Sequence, residues 1–147
     1  MPTADSSRVW VLDTHIWVRV LAQDVELSRP SFLRALAEVQ QAQGLRLAAI
    51  SLWETAMLVS KGRLKLEKPV LEWMQAALSV PGLELVPLGP EIAADSSFLP
   101  GEFHGDPADR QLVATARHLG AQLVTFDGAI LAYGAQGWVS VVDPRKV

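Results

Sequence analysis

The chain has 147 residues, half of them apolar and 20% charged, which suits one domain spanning 1–147 and excludes a disordered or solvating chain. Thirteen Lys and Arg stand against sixteen Asp and Glu, a net charge of −3 that on bulk charge alone speaks against a nucleic-acid partner. Cysteine is absent, so there is no disulfide framework, thiolate zinc site or cysteine nucleophile, and His15, His104 and His118 lack metal-ligand spacing. Met1 to Ser7 is short and polar and does not read as a signal peptide. No apolar run approaches the roughly 18 residues of a membrane span, so a soluble cytoplasmic domain is expected.

In chain order, Val9-Trp10-Val11-Leu12 is a continuous apolar run, the pattern of a strand buried on both faces of a parallel sheet. Asp13 ends it, and Ile16, Val20 and Leu21 continue at helical spacing. Ser31 to Ala42 carries Phe32, Leu36 and Val39 on one helical face, with Ser31 as a candidate N-cap. Leu45 to Ile50 reads as a strand, and Ser51 opens a helix through Lys61 that Gly62 stops. Pro69 to Leu78 is a further helix. Leu83-Glu84-Leu85-Val86 alternates, as a strand with one more exposed face would, and Pro90 to Phe98 is a short helix. After the loop Leu99 to Gly105, Asp106-Pro107 starts a helix whose stripe of Leu112, Val113, Ala116 and Leu119 ends at Gly120. Gln122 to Thr125 is a strand, a helical turn runs to Tyr133, and Trp138 to Val142 closes the series. Strands alternating with helices predict a three-layer α/β/α sandwich around a mostly parallel sheet.

In open α/β sheets ligands gather beyond the carboxyl ends of the strands. Asp13 and Asp127 stand where two strands end, while Glu54 and Asp109 fall in the first turns of helices. One arrangement brings all four to the same rim, where their mutual repulsion would call for a cation. An all-oxygen set suits Mg²⁺ or Mn²⁺ rather than zinc. Each acid alone also has a local explanation. Ser51-Leu-Trp-Glu54 matches a capping box, and Asp106 is an N-cap before Pro107, with Asp109 favoured by the helix dipole. Asp13 could cap its helix, and Asp127-Gly128 is a common turn dipeptide.

The joint order of Val-Leu-Asp13-Thr-His-Ile-Trp, Ile-Ser-Leu-Trp-Glu54, His-Gly-Asp106-Pro-Ala-Asp109-Arg and Leu-Val-Thr125-Phe-Asp127 resembles the PIN-domain ribonucleases, most closely the VapC-type toxins of toxin–antitoxin pairs. Lys61-Gly-Arg-Leu and Ala132-Tyr-Gly look like the same subfamily, so the resemblance runs from about Val9 to Val142. It implies a PIN-like fold and a metal-dependent endoribonuclease acting as a toxin. Asp13, Glu54, Asp109 and Asp127 correspond to the family's acidic quartet, Asp106 to an additional acid, and Thr14 and Thr125 to hydroxyls that could orient carboxylates. One or two Mg²⁺ or Mn²⁺ ions would activate water and clamp the phosphate, with Asp13 and Asp109 as the principal ligands. A cognate antitoxin and a homodimer are further implications.

The basic residues Lys61, Arg63, Lys65 and Lys68 could contact RNA phosphates or simply complement a helix C-terminus. Arg110 could touch substrate or pair with a site acid. Trp17 and Trp53, each near a site acid, could line a groove, although tryptophans usually pack in cores or interfaces. Two other readings fit the sequence less well. A non-catalytic PIN-like binding module would be expected to have lost acids of the quartet. A small-molecule metal-dependent phosphohydrolase would be expected to show a Gly-rich phosphate loop. Removing the four site acids from the count leaves twelve acids against thirteen bases, so the acidic balance is no more than the charge of the proposed metal site.

Overall fold

The unbroken apolar run at Trp10 becomes the central strand, β1 (Trp10–Leu12), with all three residues buried. In this computed structural model, which describes residues 8–147, β1 pairs in parallel with β2 (Leu45–Ala48) on one side and β4 (Gln122–Val124) on the other. Strands β3 (Leu83–Val86) and β5 (Ser140–Val142) complete a five-stranded sheet of order β3-β2-β1-β4-β5, in which every pairing is parallel. The remarks above on Met1 to Ser7 concern residues outside this described range.

Side chains of β1 alternate between two cores, as a pleated strand requires. Trp10 and Leu12 join Ile16, Trp17, Phe32, Leu36 and Val39, from helices α1 (Thr14–Leu21) and α2 (Pro30–Gln41). Val11 joins Ile92, Leu112, Val113, Ala116, Ile130 and Tyr133, from α5 (Pro90–Ser97), α6 (Pro107–Leu119) and α7 (Gly128–Ala135). The sandwich therefore has helices on both faces, and the expected α/β/α architecture is what forms. The remaining helices are α3 (Ala49–Ser60) and α4 (Val70–Leu78). None is long and apolar enough to cross a membrane among the described residues.

Several boundaries differ from those the sequence predicts. β2 stops at Ala48 and α3 begins at Ala49 without a side-chain cap, so Ile50 is helical and Ser51 lies inside the first turn. The capping box is consequently not made. The buried Ser51 hydroxyl instead accepts a hydrogen bond from Thr14 Oγ1 at 2.8 Å. α2 starts at Pro30, one residue before Ser31, and the Ser31 hydroxyl donates to the Val147 carbonyl at 2.7 Å rather than capping. β3 is an edge strand in which Leu85 is exposed and only Val86 is buried, so its alternation does not describe its faces. The helical turn before Tyr133 is a full helix of eight residues. Asp106 and Gly120 behave as expected: the first caps α6, and the second closes it at φ +61°.

Connections from β1 lead outward to β2 and β3 in one direction, and from β4 to β5 in the other. The β1–β4 seam is thus the point where the strand order reverses, and a crevice opens beyond the carboxyl ends of these two strands.

Candidate active site

Asp13 and Asp127 flank that seam. Asp13 stands between β1 and α1 and is 5% exposed. It does not cap α1; its Oδ2 accepts a 2.6 Å hydrogen bond from Thr125 Oγ1. The same Thr125 hydroxyl accepts the Asp127 N–H at 2.9 Å, so one buried side chain ties the two acids together across the seam. Asp127 in turn caps α7, its Oδ2 accepting the Ile130 N–H at 2.9 Å. Asp109 is in the first turn of α6, where the Asp106 carboxylate holds its N–H at 3.0 Å. Glu54 enters from the second turn of α3, and its buried Oε1 has no hydrogen-bond partner.

Asp13, Glu54, Asp109 and Asp127 line one cleft of about 390 Å³ together with Asp106, His15, Ile16, Arg19 and Phe126. Its electrostatics follow from packing acids side by side. Burial raises the Asp13 carboxyl above its ordinary range and Glu54 adds to the rise, while the Thr125 hydrogen bond and His15 offset part of it. Asp109 is pushed up to about 7, first by burial and then by Asp106, Asp127, Asp13 and Glu54. Charge so crowded, with a buried carboxylate oxygen lacking any donor, fits a divalent cation.

His104, set aside in the sequence for want of metal-ligand spacing, is in the structure a direct neighbour of the site acids. Its Nε2 lies 3.2 Å from Asp109 Oδ2, its Nδ1 accepts the Asp106 N–H at 3.2 Å, and its ring stacks on Phe103. Together with Asp109 and Asp127 it presents ligand atoms within 4.8 Å of one another. The signal lay in the tight His-Gly-Asp-Pro-Ala-Asp spacing, but the path of the 98–105 loop decides the contact, and the Tyr133 hydroxyl anchors that loop through the Pro100 carbonyl. His15, Arg19 and Phe126 were missed as well. The first two lie one helical turn apart on α1, and Phe126 sits between Thr125 and Asp127.

Other predicted residues lie elsewhere. The Arg110 guanidinium is taken by the carbonyls of Ser96 (2.8 Å), Phe103 (2.9 Å) and His104 (3.0 Å), so it braces the 98–105 loop against α5 and does not pair with a site acid. Thr14 bonds Ser51 rather than a carboxylate. Lys61, Arg63 and Lys65 are exposed at the C-terminal end of α3 and in the turn beyond it, outside the residues lining the cleft. Trp17 is buried with its ring edge-on to Trp73 at 4.9 Å and lines no open groove at the acids. Trp53 is 61% exposed.

The PIN domain family model matches residues 10–135. The chain belongs to the PIN-domain family. It is 38% identical to Ribonuclease VapC22 of Mycobacterium tuberculosis over 117 residues, which cover 80% of this chain and 85% of that protein, and its relatedness at this level makes it a PIN-domain ribonuclease of the VapC type. The PIN fold is shared with the crystal structure of VapBC2 from Rickettsia felis bound to a DNA fragment from their promoter, at a TM-score of 0.68 and 19% identity over 91% of this chain and 97% of that one. A toxin–antitoxin complex from Klebsiella pneumoniae matches at a TM-score of 0.58 and 20% identity over 91% of this chain and 96% of its counterpart.

Proposed function

We propose that this PIN-domain protein is an endoribonuclease toxin whose cleft hydrolyses RNA phosphodiester bonds with Mg²⁺ or Mn²⁺ held by Asp13, Glu54, Asp109 and Asp127. The observation that carries this reading is the convergence of four carboxylates from four separate elements, one of them with a buried oxygen lacking a partner. All four acids are present, whereas a non-catalytic module would be expected to have lost some. A bound divalent cation supplies charge compensation for the phosphate and acidifies water for in-line attack.

The chain's own residues do the positioning. Thr125 fixes Asp13 and the backbone of Asp127 in one step, so these two acids keep a set spacing across the β1–β4 seam. Asp127 spends one oxygen on capping α7 and has the other to orient the attacking water. Asp106 holds the Asp109 backbone, and His104 lies against the Asp109 carboxylate. Lys61, Arg63 and Lys65, exposed and unpaired with acids among the described residues, supply sequence-independent contacts to phosphates farther along the strand. The similarity to chains solved as toxin–antitoxin complexes supports a cognate antitoxin as partner. The proposed toxin is a homodimer working on RNA in the cytoplasm.

Cleavage of a mixed single-stranded and hairpin RNA pool with Mg²⁺ or Mn²⁺ tests the reading. Asp13→Asn and Asp109→Asn should each cost at least about 100-fold in rate, and EDTA should abolish cleavage. Full activity in either variant with the fold intact, or EDTA-insensitive cleavage, overturns it.

A further inference from the structure

An RNA strand can lay one phosphate among the site acids only if cations receive the phosphates beside it, because the acids repel every unneutralised one. Of the residues lining the cleft, Arg19 alone carries a fixed positive charge. It lies on α1 one turn beyond His15, which lines the same cleft two residues after Asp13 at the head of the helix. One turn is roughly 5.4 Å along the helix, a displacement on the scale of a single nucleotide. The Arg19 guanidinium is 5.9 Å from the centre of the Phe126 ring, and Phe126 is the half-buried residue immediately before Asp127. Arg145 reaches the same ring at 5.0 Å, but Asp143 engages it through two 2.9 Å hydrogen bonds. The competitor for Arg19 is Glu26 at 3.6 Å, in a pair whose side chains are 42% and 65% exposed, an arrangement that binds weakly in water.

We propose that Arg19 binds the phosphate of the nucleotide adjoining the scissile bond, with Phe126 orienting the guanidinium and giving that nucleotide an apolar contact. This rests on the ribonuclease reading above and adds a direction to it: the strand leaves Asp13 along α1 toward Arg19. Stacking against an aromatic face restricts the guanidinium before substrate arrives, so less freedom is lost on binding.

The test is binding of a fluorescein-labelled single-stranded RNA to the full chain in an Asp109→Asn background, by anisotropy over a salt series, beside cleavage kinetics of the otherwise wild-type protein. Arg19→Gln should weaken binding about tenfold and flatten the log–log salt dependence by about 0.7, the loss of one phosphate contact on a single strand. Arg19→Lys should keep the slope while losing part of the affinity, because the charge stays and the planar stack goes. Phe126→Leu should weaken binding several-fold with the slope unchanged. In cleavage the Arg19→Gln loss should fall on KM, and Mn²⁺ affinity by titration should not move, since Arg19 touches no proposed ligand oxygen. An unchanged slope and affinity in Arg19→Gln overturns the proposal, as does unaltered RNA binding with a lost grip on the antitoxin. If wild-type protein neither binds nor cleaves RNA, the ribonuclease reading itself fails and takes this inference with it.

Discussion

Asp109→Asn should stabilise the metal-free protein at alkaline pH while destroying its activity. In the folded chain the Asp109 carboxyl holds its proton up to about pH 7, whereas the unperturbed value is 3.8. Between those values the folded state binds more protons than the unfolded one, so stability falls as pH rises through this window and the full penalty is present above it. Taken at face value the displacement is worth about 4 kcal/mol. With 21% of the side chain open to solvent, screening reduces that to about 2 kcal/mol. Asn also gives up the favourable charge in the first turn of α6, roughly 0.3–1 kcal/mol, which leaves a net gain of about 1–2 kcal/mol. For a chain of this size that is a rise in Tm of about 2–8 °C. Thermal unfolding in EDTA should show this gain at pH 8 and none at pH 4. Millimolar Mn²⁺ should reverse the ranking, because at 100 times its Kd a ligand adds about 2.7 kcal/mol to the wild type alone. A variant no more stable than wild type at pH 8 in EDTA, or equally stabilised at pH 4, would refute the crowded-carboxylate account.

Thr125→Val keeps the shape of the side chain but removes both the donor to Asp13 and the acceptor for the Asp127 N–H; urea unfolding at neutral pH should show a loss of about 1–3 kcal/mol, and calorimetric titration a roughly 10–100-fold weaker metal affinity. Arg110→Ala should behave as a structural lesion, losing about 2–4 kcal/mol in urea unfolding as three carbonyls lose their donor, while RNA affinity at a temperature where the variant is folded stays within twofold. Gly82→Ala should cost about 3 kcal/mol or more by the same assay, since its Cβ would meet the Gln40 carbonyl oxygen at 2.3 Å from a backbone held at φ +83°.

Periodicity alone exposed the sheet and its helical layers, because β1 is buried on both faces and its apolar run is unbroken. Asp13 and Asp127 were legible for the same reason: each stands within three residues of the end of an apolar strand. The β2–α3 junction was not, since Leu45 to Ile50 stays apolar straight through the change from strand to helix and nothing local marks Ala48 as the last strand residue. That two-residue shift moved Ser51 from cap to core and turned Glu54 from a capping partner into an unpartnered carboxylate facing other acids. The roles of Arg110 and His104 were hidden for another reason. Both depend on where the 98–105 loop runs, a path set by carbonyl contacts and by Tyr133 rather than by any pattern in the loop's own residues. His15 and Arg19 follow from helical spacing once Asp13 is placed at the head of α1, but only the fold shows that their face turns toward Phe126.

The β1–β4 seam also bears on when this protein can first act. Trp10 pairs with Gln122, and Thr125 reaches back over 112 positions to hold Asp13. At about 5–20 residues per second, a ribosome that has delivered Asp13, Glu54 and Asp109 must still supply β4 before β1 gains its second neighbour and before Asp127 can join the other acids. If cleavage needs Asp127 beside Asp13 as proposed, the nascent chain would be harmless to the RNA around it until β4 has been made, and a product truncated ahead of Thr125 would stay so.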